Sequence, residues 1–84
     1  MQITKPAARI ILSIMEEHGL DTKSFGIQFD KLDDGLGFTF AKDMIGYKEF
    51  HGLKVKVAQP LNMENTTVDF GEVDGRAGLI FLGG

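Results

Sequence analysis

Only one stretch of this chain carries the period of a helix, and it comes first. Apolar residues recur at Ala7, Ile10, Ile11 and Ile14, with Ala8 and Met15 beside them, which is the spacing of a single helical stripe. Thr4 stands before the stripe as a capping residue, and Pro6 falls in the first turn, where a missing N–H leaves no bond unmade. Gly19 ends the stripe at a position suited to a left-handed backbone, with Leu20 as the apolar residue that folds back. His18, in the last turn, would as a cation suit the negative helix end. These signals predict one helix over residues 5–18 and β structure after residue 25.

The rest of the chain alternates. Phe25, Ile27 and Phe29 interleave with Gly26, Gln28 and Asp30, the pattern of a half-buried strand. "LDDG" turns the chain, Phe38 and Phe40 share a face of the next strand, and "AKDMIG" reads as a loop or irregular edge. Tyr47 to Phe50 and Leu53 to Val57 flank His51-Gly52, a two-residue hairpin turn. Leu53, Val55 and Val57 should face inward and Lys54 and Lys56 outward. Gln59-Pro60 ends that strand, and "LNMEN" suits a turn or one helical turn. Val68 and Phe70 alternate again, Asp74-Gly75 turns, and Leu79 to Leu82 reads as a continuous apolar strand buried on both faces. Most of the eleven glycines fall at the turns.

Eighty-four residues form one small domain, residues 1–84, with a single modest core. The hydrophobic fraction of 43% is too high for a disordered chain. Residues 1–56 balance eight Lys/Arg against eight Asp/Glu, whereas residues 57–84 set only Arg76 against Glu64, Asp69, Glu72 and Asp74. No basic stripe exists, so neither nucleic acid nor an anionic membrane is expected as a partner. With no cysteine, no leader-like opening and no apolar run near the length of a membrane span, a cytoplasmic protein is expected.

The order of these pieces resembles the HesB/IscA-like family of A-type iron–sulfur carriers. "ITKPAARIILSIMEEHG" is similar to the family's opening strand residue and amphipathic helix, "FGIQF" to its first long strand, and "GLGFTF" to the strand after its first cysteine loop. "GLKVKV", a break and "TTVDFGEVDGRAGLIF" are similar to its closing half, the more specific piece. The resemblance implies a role connected with iron–sulfur cluster biosynthesis and a tendency to form dimers and tetramers. Family members hold the cluster through three cysteines, and this chain has none. One thiol would belong in the loop here shortened to "KLDDG", where Asp33 or Asp34 lies nearest. The other two would lie just past Leu82, where Gly83-Gly84 stands.

Clusters are held by thiolates, with histidine replacing some of them in a few centres, and carboxylates suit harder ions. The metal reading left to these residues is a labile Fe²⁺ on Asp33, Asp34 and His51, set against an ordinary turn pair and a hairpin residue with a left-handed backbone. No resident cofactor is expected. Enzyme readings find no support: Ser13 and Ser24 have no histidine paired with them, and the Gly-Arg-Ala-Gly stretch lacks the Lys-Ser/Thr of a phosphate loop. Two other binding readings compete. "GLGF" at Gly35 to Phe38 is the carboxylate-binding tetrapeptide of PDZ domains, although Asp33 and Asp34 before it would repel a carboxylate. Gly83-Gly84 is similar to the di-glycine end of ubiquitin-like sulfur carriers of the ThiS/MoaD kind, although those open with a hairpin for which this chain has no room.

The expectation is therefore an α+β, mostly β domain with its helix packed on a small mixed β-sandwich. The core is expected from Ala8, Ile11, Ile14, Met15, Phe25, Ile27, Phe29, Phe38, Phe40, Leu53, Val55, Val57, Val68, Phe70, Ile80 and Phe81. The function expected is that of a cysteine-less HesB/IscA-like protein, not an enzyme, acting as a protein-binding or homodimerising module.

Overall fold

In the computed structural model, which describes residues 1–33, 35–59 and 61–83, a two-residue strand β1 (Gln2–Ile3) leads into helix α1 (Lys5–Glu17). Six strands follow: β2 (Phe25–Leu32), β3 (Gly35–Lys42), β4 (Lys48–Phe50), β5 (Leu53–Val57), β6 (Thr66–Val73) and β7 (Arg76–Gly83). The fold is α+β and mostly β, as expected, and no described helix is long and apolar enough to cross a membrane.

Both helix ends follow from local chemistry. The Thr4 hydroxyl oxygen accepts from the Ala7 N–H at 3.3 Å, and the same hydroxyl donates to the Asp69 carboxylate on β6 at 2.6 Å. The cap is thus also a tie between helix and sheet. At the other end Gly19 adopts φ 71°. Its N–H donates to the Glu16 carbonyl at 3.0 Å, and the Leu20 N–H donates to the Met15 carbonyl at 2.9 Å. These paired bonds satisfy carbonyls that the last turn would otherwise leave open.

The strands form two sheets, one ordered β1-β6-β7 and the other β3-β2-β5-β4. In the first, β1 runs parallel to β6 and β7 antiparallel to it. In the second, β2 and β5 are parallel at the centre, and β3 and β4 are antiparallel at the edges. The hairpin registers pair Leu32 with Gly35, Phe50 with Leu53 and Val73 with Arg76. His51 and Asp74 take left-handed backbones, with φ 51° and 53°, ahead of their glycines, as the twist of a tight hairpin requires.

The core lies between the sheets and under α1. Ala7, Ala8, Ile11 and Met15 meet Ile27 and Phe29 of β2, Leu53 and Val55 of β5 and Val68 of β6, all buried. Phe29 sits at its centre, edge-on to Phe38 at 6.1 Å and to Phe81 at 5.9 Å between ring centroids.

Several sequence expectations change. Of the expected core, Ile14, Phe25, Phe38, Val57, Phe70, Ile80 and Phe81 are only half-buried, and Phe40, on the edge strand β3, is exposed and rests beside the His18 ring. Leu79 to Leu82 is not buried on both faces. Leu79 and Phe81 point inward, but Ile80 and Leu82 lie on an outer face that no described element covers, and Leu82 is 51% exposed. Ile3 and Met63 join the core from segments too short to show a period. Tyr47 precedes β4, and Ala41 and Lys42 extend β3 rather than opening the loop.

Candidate functional site

Of the three residues considered for iron, the two that are described, Asp33 and His51, do not come together. Asp34 lies outside the described residues. Asp33 follows the last residue of β2, and His51 follows the last residue of β4 in the turn that leads into β5. Because β2 and β5 are parallel, with Ile27 opposite Val55, His51 lies at the start of β2 and Asp33 at its end. That is a separation of roughly 25 Å along the strands. The sequence could not show this, because it depends on a non-local parallel register. His18 stacks on Phe40 at 5.9 Å between centroids, and no group of three or more potential metal ligands occurs among the described residues.

The end of β2 and the end of β7 both border the 61–65 segment. A cavity beside the β2 end is lined by Asp30, Lys31, Leu61 and Asn62. The same 61–65 segment leads to Thr66, whose N–H donates to the Met63 carbonyl at 3.0 Å and which pairs with Gly83. Gly83 itself is the last residue of β7, and a Cβ there would lie 3.1 Å from the Asn65 carbonyl oxygen. It is held against β6 rather than hanging as a tail. Gly35 to Phe38 likewise form the first half of β3, each residue in register with β2, and the helix packs on β6 and β5 rather than beside β3.

Two features remain open. The first is the edge of β7. The Thr4 N–H donates to the Val68 carbonyl, so Val68 directs its backbone groups to β1. By alternation Thr67, Asp69, Gly71 and Val73 direct theirs to β7, where they meet Leu82, Ile80, Gly78 and Arg76. The N–H and C=O groups of Ala77, Leu79, Phe81 and Gly83 therefore face away from the sheet. No residue from Ala77 to Gly83 is charged, and the adjoining outer face carries Ile80, Leu82 and the 56% exposed Val73 beside Asp69 and Arg76. An uncharged edge of this length, without proline, is a template for another strand. The other long edge, β3, has Gly37, Thr39 and Ala41 on its outer face and ends on Lys42.

The second is a cleft of about 440 Å³ beyond the end of β4, lined among others by Gly46, Lys48, Val55, Val57, Asn62 and Glu64. That size falls within the range of small-ligand pockets. Near the helix N-terminus the Asp69 carboxyl is held below the usual aspartate value of 3.8. The Thr4 hydroxyl is the larger cause and the Phe70 N–H, at 2.8 Å, the next. No family model, curated protein or solved structure matches this chain.

Proposed function

We propose that this protein is a cysteine-less relative of the HesB/IscA-like carriers that acts as a non-catalytic, self-pairing binding module in the cytoplasm. The observation that carries the binding role is the open edge of β7, uncharged from Ala77 to Gly83, beside the outward-facing Ile80 and Leu82. A second copy laid antiparallel along that edge satisfies Leu79 and Phe81 on both chains at once and closes as a two-fold dimer. The kinship is supported by the order of elements: one short strand and a helix, then two long strands joined by a tight turn, then the closing hairpin. A role in cluster biosynthesis without cluster carriage follows from that kinship and from the missing thiolates.

Sedimentation equilibrium tests the binding role. The native chain should approach twice 9.2 kDa at micromolar concentration, and Leu82→Lys should return it to 9.2 kDa. A native chain that stays at 9.2 kDa throughout would remove the self-pairing role. Anaerobic reconstitution with iron and sulfide should give no bound cluster. A stoichiometric cluster would return the protein to the carriers.

A further inference from the structure

Strand β4 stops short of its partner. Lys48, Glu49 and Phe50 pair with Val55, Lys54 and Leu53, and the same register would set residue 46 opposite Val57. Residue 46 is a glycine at φ 76°, and this left-handed turn carries the chain off the edge of β5. Val57 is left facing the gap. The Ala58 N–H donates to the Phe29 carbonyl at 2.9 Å, so Ala58 and Lys56 direct their backbone groups to β2, and Val57 directs its own to the β4 side. Among the described residues no backbone bond reaches it there.

The gap is the 440 Å³ cleft, and its chemistry is one-sided. Val55, Val57, Leu61 and Met63 give it apolar walls. Lys48 shares a face with Val55 and stands at the rim, with Lys56 also lining the cleft. The Lys54 ammonium is engaged by the Lys23 carbonyl and the Tyr47 ring, and Lys42 stands over Phe25. Lys48 and Lys56 have no such engagement among the described residues. Asn62 accepts from the Glu64 N–H through its side-chain oxygen at 2.9 Å, which leaves its NH₂ as a donor. Glu64 is the one acidic residue in the lining.

We infer that this cleft binds an extended acidic peptide segment as a short continuation of β4. One residue of the peptide exchanges both backbone hydrogen bonds with Val57, and a neighbouring carboxylate is held by Lys48. Strand addition of this kind takes its affinity from the main chain and its selectivity from alternate side chains. The site is separate from the β7 edge and does not depend on the reading given above for that edge.

The test is an amide NMR titration of the full chain with acetyl-Val-Asp-Val-Asp-amide. Shifts should centre on Gly46, Val57 and the Asn62 side chain, and the Val57 amide should become protected from exchange. Lys48→Glu, a change at an exposed residue, should weaken binding by about tenfold or more while leaving the melting temperature unchanged. The same peptide N-methylated at its central residues should lose the Val57 protection. Absence of shifts at millimolar peptide, or an equal response to acetyl-Val-Lys-Val-Lys-amide, would overturn the inference. Full reproduction of the shifts and of the protection by hexanoate would overturn it too, because a small carboxylate site would then suffice.

Discussion

Strands β2 and β7 are both eight residues long and both rich in apolar side chains, yet they live in different surroundings. β2 lies between β3 and β5, so both its edges are bonded, and its inner face carries Ile27 and Phe29 with no exposure. β7 has one bonded edge and one covered face. Its apolar residues outnumber what the core takes, and Ile80 and Leu82 remain on the surface. In one strand hydrophobicity stabilises the monomer. In the other, part of it stays at the surface.

Phe29→Ala should have the largest effect, costing about 3–5 kcal/mol, because it empties the centre of the aromatic cluster. In a domain this small that is a large part of the total stability. Denaturant melts measure it, and a cost below about 1 kcal/mol would mean that the sheets do not meet where Phe29 joins Phe38 and Phe81. A matched pair sharpens the contrast. Ile27→Ala should cost about 2–5 kcal/mol, whereas Ile80→Ala, at a dilution that keeps the chain monomeric, should cost no more than about 1 kcal/mol. Equal costs would erase the difference between the two strands.

Gly26 makes β2 sensitive in another way. A Cβ there would lie 2.5 Å from the Lys54 carbonyl oxygen and 2.5 Å from the Met44 Cε. The backbone of β5 would have to move, so Gly26→Ala should destabilise by about 1–3 kcal/mol. On β7, Gly78→Ala meets nothing within 4 Å and should change little in the same melts.

A smaller effect tests how the β6-β7 sheet is tied to the helix. The Asp69 carboxyl titrates below its usual value because the Thr4 hydroxyl and the Phe70 N–H stabilise its charged form. A carboxylate depressed on folding adds stability that is complete above the unfolded value of 3.8 and is lost as pH falls through the lower folded value. The stability gap between the native chain and Asp69→Asn should therefore be constant near neutrality and close only below about pH 4. A gap that persisted undiminished at pH 2 would show that the charge is not what ties β6 to the cap.

The helix and the hairpins were legible because their signals are local. Thr4, Gly19, His51-Gly52 and Asp74-Gly75 each act within a few residues, and each behaves as its chemistry demands. Ile3 and Met63 were not legible as core, since single apolar residues in short segments have no period. The apolar run from Leu79 to Leu82 misled because composition does not say whether a strand lies inside a sheet or at its rim. The separation of Asp33 from His51, and the unpaired groups of Val57, depend on which strands lie side by side and on where β4 ends. Both are properties of the assembled sheet, and neither is written in any one stretch of sequence.

The spare edge of β7 is tested most directly by amide hydrogen exchange at increasing protein concentration. Leu79 and Phe81 direct their N–H groups outward, while Gly78 and Ile80 donate to β6. Self-pairing predicts that protection of Leu79 and Phe81 climbs with concentration while that of Gly78 and Ile80 stays level. Exchange at Leu79 and Phe81 that is fast and independent of concentration would contradict the account.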